Sequence, residues 1–318
     1  MIRLDFNKQE MGVMKFNKRE MEVLDFAAGK RANLTHLAQA LGMKKSNLTI
    51  YVKKLNRYQL VVLTKSGRNK ELALGNGNLA GFAALKPGFP TLKLSDILAG
   101  KAPFLLSFMK DKQLLRISEL DIPAITAKRL LGKLRNLGLV SMPRKGMYRL
   151  RGEAGIVGDF CRNMLVQAYF AEASDELGQL EYGVYSFDSA KELGAVFATL
   201  REFRPKNYWP TAYTIAHQYG LGLIQAGRHY YANAKPDLGD VIIHTLSISK
   251  DARGINYAAF LVLKNKYNPR LLLKKRHTFG LGRKYLTNFV EFIETRGEKP
   301  FGGLGSLKEA EEMFNGKL

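Results

Sequence analysis

One pattern of apolar and polar residues occurs twice in the N-terminal half of this chain, at a spacing of about 80 residues, and a duplicated pattern predicts two similar units. In the first copy, the segments 18–28, 34–41 and 46–55 place apolar residues at helical spacing, and a glycine follows each of the first two segments. Ser46 is positioned to cap the third helix. Residues 60–74 then change to strand-like composition and predict a hairpin around Gly67.

The second copy occupies residues 116–150 and has a compressed turn. Leu120 ends a short helix, no glycine separates it from the next helix, and Pro123 begins that helix. A hairpin follows, with its turn at Lys145 and Gly146. A segment rich in glycine and proline, residues 76–112, links the two copies before it becomes helical again. The helix after Pro123 is expected to bury one apolar face, made by Ile125, Leu130, Leu131 and Leu134.

The positive charge of the chain is concentrated in the same half. The net charge is +22, and residues 1–152 carry 29 Lys and Arg against 10 Asp and Glu, a balance of +19. Residues 153–318 carry 21 against 18, a balance of +3. A polyanion is therefore the expected partner of the N-terminal half, although ribosomal, membrane-surface and some thermophile proteins are also basic.

Cysteine content and hydropathy exclude several protein classes. The single cysteine, Cys161, excludes a disulfide framework and a multi-cysteine zinc site. The first 18 residues lack the apolar run of a signal peptide. Because no stretch approaches the roughly 18 uninterrupted apolar residues of a membrane span, we expect a globular cytoplasmic protein with no membrane partner.

The order of elements in the first copy is helix, helix, tight turn, helix and hairpin. The segments KREMEVLDFAA, LTHLAQALGMKKSNLTIYVKKLNRYQLVVL and TKSGRNKELAL resemble the winged helix-turn-helix of multiple-antibiotic-resistance-type and arsenic-repressor-type regulators. The resemblance covers residues 18–74. It implies that the third helix enters the major groove of DNA while the hairpin, or wing, holds the adjacent backbone or minor groove.

The polar outer face of the third helix and the wing supply the candidate DNA contacts of the first copy. Asn47 and Thr49 lie near the start of the helix and are base-reading candidates, with Ile50 available for a thymine methyl group. The cations are candidate phosphate contacts. The complete set is Lys45, Asn47, Thr49, Ile50, Lys53, Lys54, Arg57, Lys65, Arg68 and Lys70.

The second copy continues the basic surface, and its compressed turn leaves open whether it reads bases or only clamps the backbone. A charged helical face can also be merely solvated, and winged helices also serve as protein-binding modules. The almost purely basic outer face, repeated on the wing, favours DNA. The candidate contacts in this copy are Lys128, Arg129, Lys133, Arg144 and Lys145, and Arg135, Arg149 and Arg151 extend the basic surface.

The chain becomes neutral and aromatic-rich from about residue 153, so we place a domain boundary near Arg151. Residues 155–180 predict a long helix. The segments YGVYSF, RHYYANA and DVIIHTLSIS predict strands, and NYAAFLVLKNK and RKYLTNFVEFIETRG predict helices. The C-terminal part is therefore expected to be a mixed α/β domain.

The C-terminal part shows no recognisable catalytic pattern. Asp237 and Asp240 lack the spacing of a nucleotidyltransferase aspartate pair, which is one residue apart to hold magnesium. GLGSLKE at residues 303–309 lacks the ending of a phosphate-binding loop. We therefore expect no enzyme, no cofactor and no metal site, and we expect structural roles for the scattered polar residues Cys161, His217, His229, His244 and His277.

A second resemblance extends from the end of the second copy into the C-terminal part. The segments RKGMYRL, YWPTAYTIAHQYGL and LLLKKRHTFGLGRKYLTNFVEFIE are similar to the AbiE-type abortive-infection antitoxin family. This resemblance implies a DNA-binding autorepressor that neutralises a nucleotidyltransferase-like toxin. The additional N-terminal winged unit departs from that family and favours a broader regulator.

The sequence thus predicts an α+β protein with two tandem winged helix-turn-helix domains, residues 1–78 and 79–152, followed by a mixed α/β domain at residues 153–318. The leading hypothesis is a sequence-specific transcriptional regulator that binds double-stranded DNA. The C-terminal domain would then serve for homodimer formation or for binding a protein partner. Two alternatives remain open, namely an antitoxin that acts mainly by protein binding, and a nucleotidyltransferase-like enzyme with a DNA-targeting arm.

Overall fold

Two compact units of mixed α and β structure, with small antiparallel sheets, make up the protein. The computed structural model describes residues 16–29, 31–66, 69–75, 85, 89, 91–202, 206–223, 227–249, 251–304 and 306–314. One unit comprises residues 1–172 with 189–192, and the other comprises residues 173–188 with 193–318. The division falls within a long helix at Glu172, whereas the sequence places a boundary near Arg151.

The first half of the N-terminal unit contains three helices and a three-stranded sheet. Asn17 and Glu20 begin the first helix with a capping box, in which each side chain accepts a hydrogen bond from the backbone N–H of the other residue, at 2.8 and 2.9 Å. The sheet has the order β1-β3-β2 and is antiparallel. The elements are α1 (Lys18–Gly29), β1 (Ala32–Asn33), α2 (Leu34–Ala40), α3 (Lys45–Arg57), β2 (Val61–Ser66) and β3 (Asn69–Leu74).

The second half of this unit repeats the arrangement and then continues into a long helix. Its antiparallel sheet has the order β4-β6-β5, which matches the order in the first half. A 3₁₀ turn at Ile117–Glu119 takes the place of α2. The remaining elements are α4 (Leu94–Ile97), α5 (Ala102–Met109), β4 (Leu115–Arg116), α6 (Ala124–Asn136), β5 (Val140–Arg144), β6 (Met147–Leu150) and α7 (Gly155–Leu177).

The ends of α3 and α6 have the same backbone hydrogen bonds, which supports the duplication predicted from the sequence. The N–H of Leu60 donates to the Leu55 carbonyl, and the N–H of Leu139 donates to the Leu134 carbonyl, both at 3.0 Å. Leu60 and Leu139 are then each bonded through their carbonyls to the residue that follows the hairpin. All four leucines are buried. The two halves therefore share one way of turning a helix into a hairpin.

The turn before the last helix differs between the halves. In the first half, α2 has seven residues and Gly42 adopts a φ of +59° in the turn, a conformation that glycine favours. In the second half, the corresponding 3₁₀ turn has three residues. The carboxylate of Asp121 follows this turn, and it accepts hydrogen bonds from the Ser189 hydroxyl at 2.5 Å and the Ala190 N–H at 3.1 Å. The segment 189–192 thus braces the shorter turn.

One hydrophobic core extends through both halves of the N-terminal unit and into α7. It begins at Phe16, passes through the inner faces of α3 and α6, and includes Val157, Phe160 and Cys161 of α7. Ala190, beside the brace at Asp121, belongs to the same core. Because tight packing fixes the relative positions of the elements that share a core, the two halves form one body.

Two predictions about the third helices are wrong. Ser46 does not cap α3, because Lys44 is the residue that precedes the helix and its carbonyl accepts the first bond, from the Leu48 N–H at 3.1 Å. Ile125 does not lie on the inner face of α6. That face is made by Ala127, Leu131 and Leu134, and Ile125 lies about 200° around the helix from Ala127.

The C-terminal unit contains a four-stranded antiparallel sheet with the order β7-β8-β10-β9 and an apolar helical layer. The predicted strand DVIIHTLSIS is wrong, because these residues lie in a helix that Asp237 and Asp240 begin with a capping box. The strands are β7 (Tyr182–Ser186), β8 (Gly194–Thr199), β9 (Trp209–Pro210) and β10 (Arg228–Tyr231). The helices are α8 (Leu238–Ile248), α9 (Ala252–Lys264), α10 (Gly282–Glu294) and α11 (Lys308–Phe314), with 3₁₀ segments at Ala212–Tyr219 and Pro269–Lys274. Among the described helices, none is long and apolar enough to cross a membrane.

The brace at Asp121 is expected to stabilise the N-terminal unit measurably. Replacement of Ser189 by alanine removes the bond to the Asp121 carboxylate. It also removes the two bonds that the hydroxyl oxygen accepts from the N–H groups of Lys191 and Glu192, and we expect the free energy of unfolding to fall by about 1.5–3 kcal/mol. Urea unfolding followed by circular dichroism measures this change. The control is Ser118→Ala, at an exposed serine of the 3₁₀ turn, for which a change within about 0.5 kcal/mol is expected. Equal stabilities of the two variants would contradict the role of the brace.

Candidate nucleic-acid interface

The helix α3 has an apolar inner face and a cationic outer face. Leu48, Val52 and Leu55 are buried in the core of the N-terminal unit, because their spacing places them on one side of the helix. The outer side carries exposed cations that the wing strands extend. We call the exposed residues Lys45, Lys53, Arg57, Lys65 and Lys70 the first cationic face.

The first two turns of α3 carry three predicted contact residues of different chemistry. Asn47 is exposed in the first turn, where its amide can both donate and accept hydrogen bonds. The hydroxyl of Thr49 donates to the Lys45 carbonyl at 2.8 Å, so toward an external partner this hydroxyl can only accept. Ile50 follows with 64% of its surface exposed. These three predicted contact residues therefore differ in what they can offer a base.

Lys54 has a different environment from the other predicted phosphate contacts. Its ammonium group lies 2.9 and 3.1 Å from the two carboxylate oxygens of Glu20, which is buried, and 5.7 Å from the centre of the Phe16 ring. The neighbouring Lys53 is exposed. Lys54 thus ties α3 to the start of α1, and Lys53 is the residue of this pair that faces outward.

The C-terminal end of α3 is fixed to α7 by a second inward bond. The hydroxyl of Tyr58 donates to Oε1 of Glu172 at 2.6 Å, and the Phe16 ring packs edge-on against Tyr58. Burial and the Glu172 carboxylate raise the pKa of Tyr58. Together with the Glu20–Lys54 pair, this bond fixes the position of the last turn of α3.

The wing of the first half places two lysines directly opposite each other. Lys65 on β2 pairs in register with Lys70 on β3, and both side chains are exposed. Like charges at opposite positions of an antiparallel pair destabilise a hairpin, and an anion bound between them removes that cost. Arg68, also predicted as a contact, lies outside the described residues.

The second half presents a similar set of cations on α6 and on the β5–β6 turn. Lys133 on α6 is exposed, and its ammonium group lies 3.3 Å from the carboxylate of Asp96 on α4. A surface pair of this kind is weak, so it does not withdraw Lys133 from other anions. We call the exposed residues Lys128, Arg129, Arg144 and Lys145 the second cationic face.

Sequence reasoning did not assign Ile125 to the interface. It is 84% exposed at the start of α6, and the exposed large apolar side chains in the described part of the chain reach no higher value. The available signal was helical phase. At about 100° per residue, Ile125 lies 180° from the buried Leu134, so its spacing alone places it on the outer side of α6.

The histidines of the C-terminal unit are mostly interior groups. His229, His244 and His277 are buried, whereas His217 is exposed. Nδ1 of His244 lies 2.6 Å from the Thr211 hydroxyl, and Nε2 of His229 lies 3.0 Å from the Tyr182 hydroxyl. Burial lowers the pKa of His229 to about 4, and burial, assisted by His277 and Lys275, lowers the pKa of His244 to about 3. Both rings are therefore neutral at physiological pH.

Asp237 and Asp240 take part in a closed ion cluster. Besides capping α8, both carboxylates accept hydrogen bonds from the ammonium group of Lys275, at 2.5 and 2.9 Å. The pKa of Asp237 is lowered, with burial opposing the shift and the bonds from Lys275 and Asp240 outweighing it. These contacts assign the two aspartates a role in joining α8 to the segment before α10. Within the described ranges, no group of three or more His, Cys, Asp or Glu side chains is arranged to hold a metal ion.

The buried Glu20–Lys54 pair is expected to stabilise the N-terminal unit. Glu20→Gln preserves an oxygen that can accept the capping bond from Asn17 but removes the charge that faces Lys54. Because Lys54 retains partial solvent contact, we expect a loss of about 1–2 kcal/mol in the free energy of unfolding, less than for a fully buried pair. Chemical denaturation measures it.

Two further variants complete that test. Glu22→Gln removes a carboxylate that pairs with the exposed Lys18 and Arg19, and a change below about 0.5 kcal/mol is expected. Adding Lys54→Met to Glu20→Gln is expected to restore part of the lost stability, because no unpaired charge then remains. If Glu20→Gln and Glu22→Gln are equally stable, the pair does not anchor α3.

The neutral histidines predict a loss of stability in acid. The pKa of His229 is about 4 in the folded protein and 6.5 ordinarily, so the unfolded chain binds a proton at higher pH than the folded chain does. The stability that depends on the neutral ring is complete above about pH 6.5 and is lost as the pH falls through about 4. Denaturation midpoints measured across this range should fall less steeply for His229→Gln than for the unaltered protein. His217→Gln is the control and should follow the unaltered curve, and parallel curves for all three proteins would refute the prediction.

Comparison with known proteins adds no family assignment. No protein-family model, no curated protein and no solved structure matches this chain. The function is therefore inferred from the residues and their geometry alone.

Proposed function

We propose that this protein binds double-stranded DNA through two winged helix-turn-helix units in its N-terminal half and regulates transcription. The observation that carries the proposal is the pair of cationic faces, each formed by the third helix and the hairpin of one half. The order of helices and the sheet orders β1-β3-β2 and β4-β6-β5 support a winged helix in each half.

The arrangement of acidic and basic side chains in the N-terminal unit supports a polyanion partner. Glu20 is buried against Lys54, whereas Asp96 pairs with the exposed Lys133, and the N-terminal unit still presents an excess of exposed cations. Lys65 and Lys70 lie directly opposite each other, and the acid of these strands, Glu71, is at the next position, which faces the other side of the sheet. A row of phosphates compensates both features, because each phosphate oxygen can accept from a lysine or arginine.

The shape of the two helices supports DNA over a smaller polyanion. Each helix presents polar or apolar side chains near its N-terminus, Asn47 and Ile50 on α3 and Ile125 on α6, with cations on the following turns. In the major groove, base edges accept or donate hydrogen bonds and thymine offers a methyl group. Cations on the same face reach the phosphates that border the groove. DNA thus offers a chemical partner for each kind of group on the two faces.

Lys53 and Lys54 provide the test, because they are neighbours on α3 and only Lys54 is paired with the buried Glu20. The full-length protein is titrated with a labelled random-sequence duplex at several salt concentrations, and log affinity is plotted against log salt. Lys53→Met should make the slope shallower by about 0.9, the value for one lost phosphate contact. Lys54→Met should lower stability and leave the slope unchanged, because Lys54 is bound to Glu20.

Three outcomes decide between this proposal and others. Salt-dependent binding with a slope change in Lys53→Met alone supports DNA binding by the first cationic face. Equal slope changes in the two variants contradict the placement of that face. Absence of salt-dependent binding to duplex DNA by the unaltered protein refutes the proposed function.

A further inference from the structure

The most exposed large apolar side chain among the described residues lies at the start of the second cationic face. Ile125 is the second residue of α6 and is 84% exposed. An isoleucine on the surface of a folded protein forgoes the stabilisation of burial, and a serine or lysine would serve equally well in solvent. Since single exposed apolar side chains are common, the significance of Ile125 lies in its setting, at the start of a helix whose same side is cationic.

The neighbours of Ile125 indicate the chemistry of that contact. Lys128 and Arg129 follow at i+3 and i+4, so they share its side of the helix, and both are exposed. The sequence of α6, AITAKRLLGKLRN, contains no acidic residue. A single branched apolar group bordered by cations complements a surface that has one apolar group between anions, and a thymine methyl group beside backbone phosphates is such a surface.

The start of α6 is also held in place. Asp121, in the compressed turn before the helix, is bonded to Ser189 and Ala190, and the adjacent Ile122 is buried in the core. Pro123 then precedes the helix with a φ of −53°, a value that its ring enforces. The residues that follow are therefore presented by a rigid support, which suits a contact that discriminates between bases.

We propose that Ile125 is a specificity-determining residue that contacts the C5-methyl group of thymine in the major groove, so that the second half reads base sequence as well as holding the backbone. This inference rests on the proposed function. It assigns to α6 the same kind of contact that Ile50 can make from α3, one helical turn closer to the start of the helix. The compressed turn shortens the helix before α6 and leaves this contact surface intact.

The experiment removes the methyl group from the DNA and the side chain from the protein separately. The full-length protein first selects its preferred sequence from a random duplex pool. Each thymine of the selected duplex is then replaced, one at a time, by deoxyuridine, which pairs identically and carries the same charge but lacks the methyl group. Affinities for every duplex are measured for the unaltered protein and for Ile125→Ala.

The unaltered protein should lose about three- to fivefold in affinity at one or two thymines, the effect of one buried methyl group. Ile125→Ala should show no loss at those thymines and should retain the losses at the others. Ile50→Ala should abolish the losses at a different set. The control is Ile156→Ala, at an exposed isoleucine of α7, which should reproduce the unaltered profile. Alanine is a good helix former, so Ile125→Ala at this exposed site should fold normally.

The outcomes separate this inference from the function on which it rests. If the protein binds duplex DNA and Ile125→Ala keeps the uracil sensitivity of the unaltered protein at every thymine, the inference is wrong and DNA binding stands. The same holds if the selection yields no preferred sequence. If the unaltered protein binds no duplex at any salt concentration, both the function and the inference fall.

Discussion

A single hydrophobic core, extending from Phe16 through α3 and α6 to α7, is the constraint on which the rest of the N-terminal unit depends. This core makes the two duplicated halves one folded body, because they share interior contacts instead of being joined only by a linker. This sharing matters energetically for the proposed binding to DNA. The second cationic face does not have to be ordered after the first has bound, so the entropy cost of association is reduced.

Three carboxylates of this unit position its helices. Glu20 neutralises Lys54 and caps α1, Asp121 braces the turn before α6, and Glu172 accepts the bond from Tyr58. Each of these bonds lies behind a helix whose outer side is cationic. Other carboxylates of the unit pair with surface cations, as Asp96 does with Lys133 and Glu22 does with Arg19, and an excess of lysine and arginine still faces solvent.

The C-terminal unit carries less excess positive charge. Its cations meet acids in local pairs, such as Lys275 with Asp237 and Asp240, and Arg270 with Glu294. Its buried histidines are neutral, because burial lowers the pKa of His229 and His244. This agrees with the small net charge of residues 153–318. The contrast between the units supports assigning the polyanion contact to the N-terminal one.

The sequence by itself determined the duplication, the helices and hairpins of the N-terminal half, and the concentration of positive charge there, because periodicity and charge are local properties of the chain. It did not distinguish Lys53 from Lys54, since the Glu20 that pairs with Lys54 lies on another helix. It assigned Ile125 to the inner face of α6 from its apolar character, although at about 100° per residue this side chain lies 180° from the buried Leu134. It predicted a strand at residues 240–249 from β-branched composition, where a capping box and burial of the segment impose a helix. Only the tertiary structure brought Ser189 to Asp121, since that contact joins residues far apart in the chain and no local pattern records it.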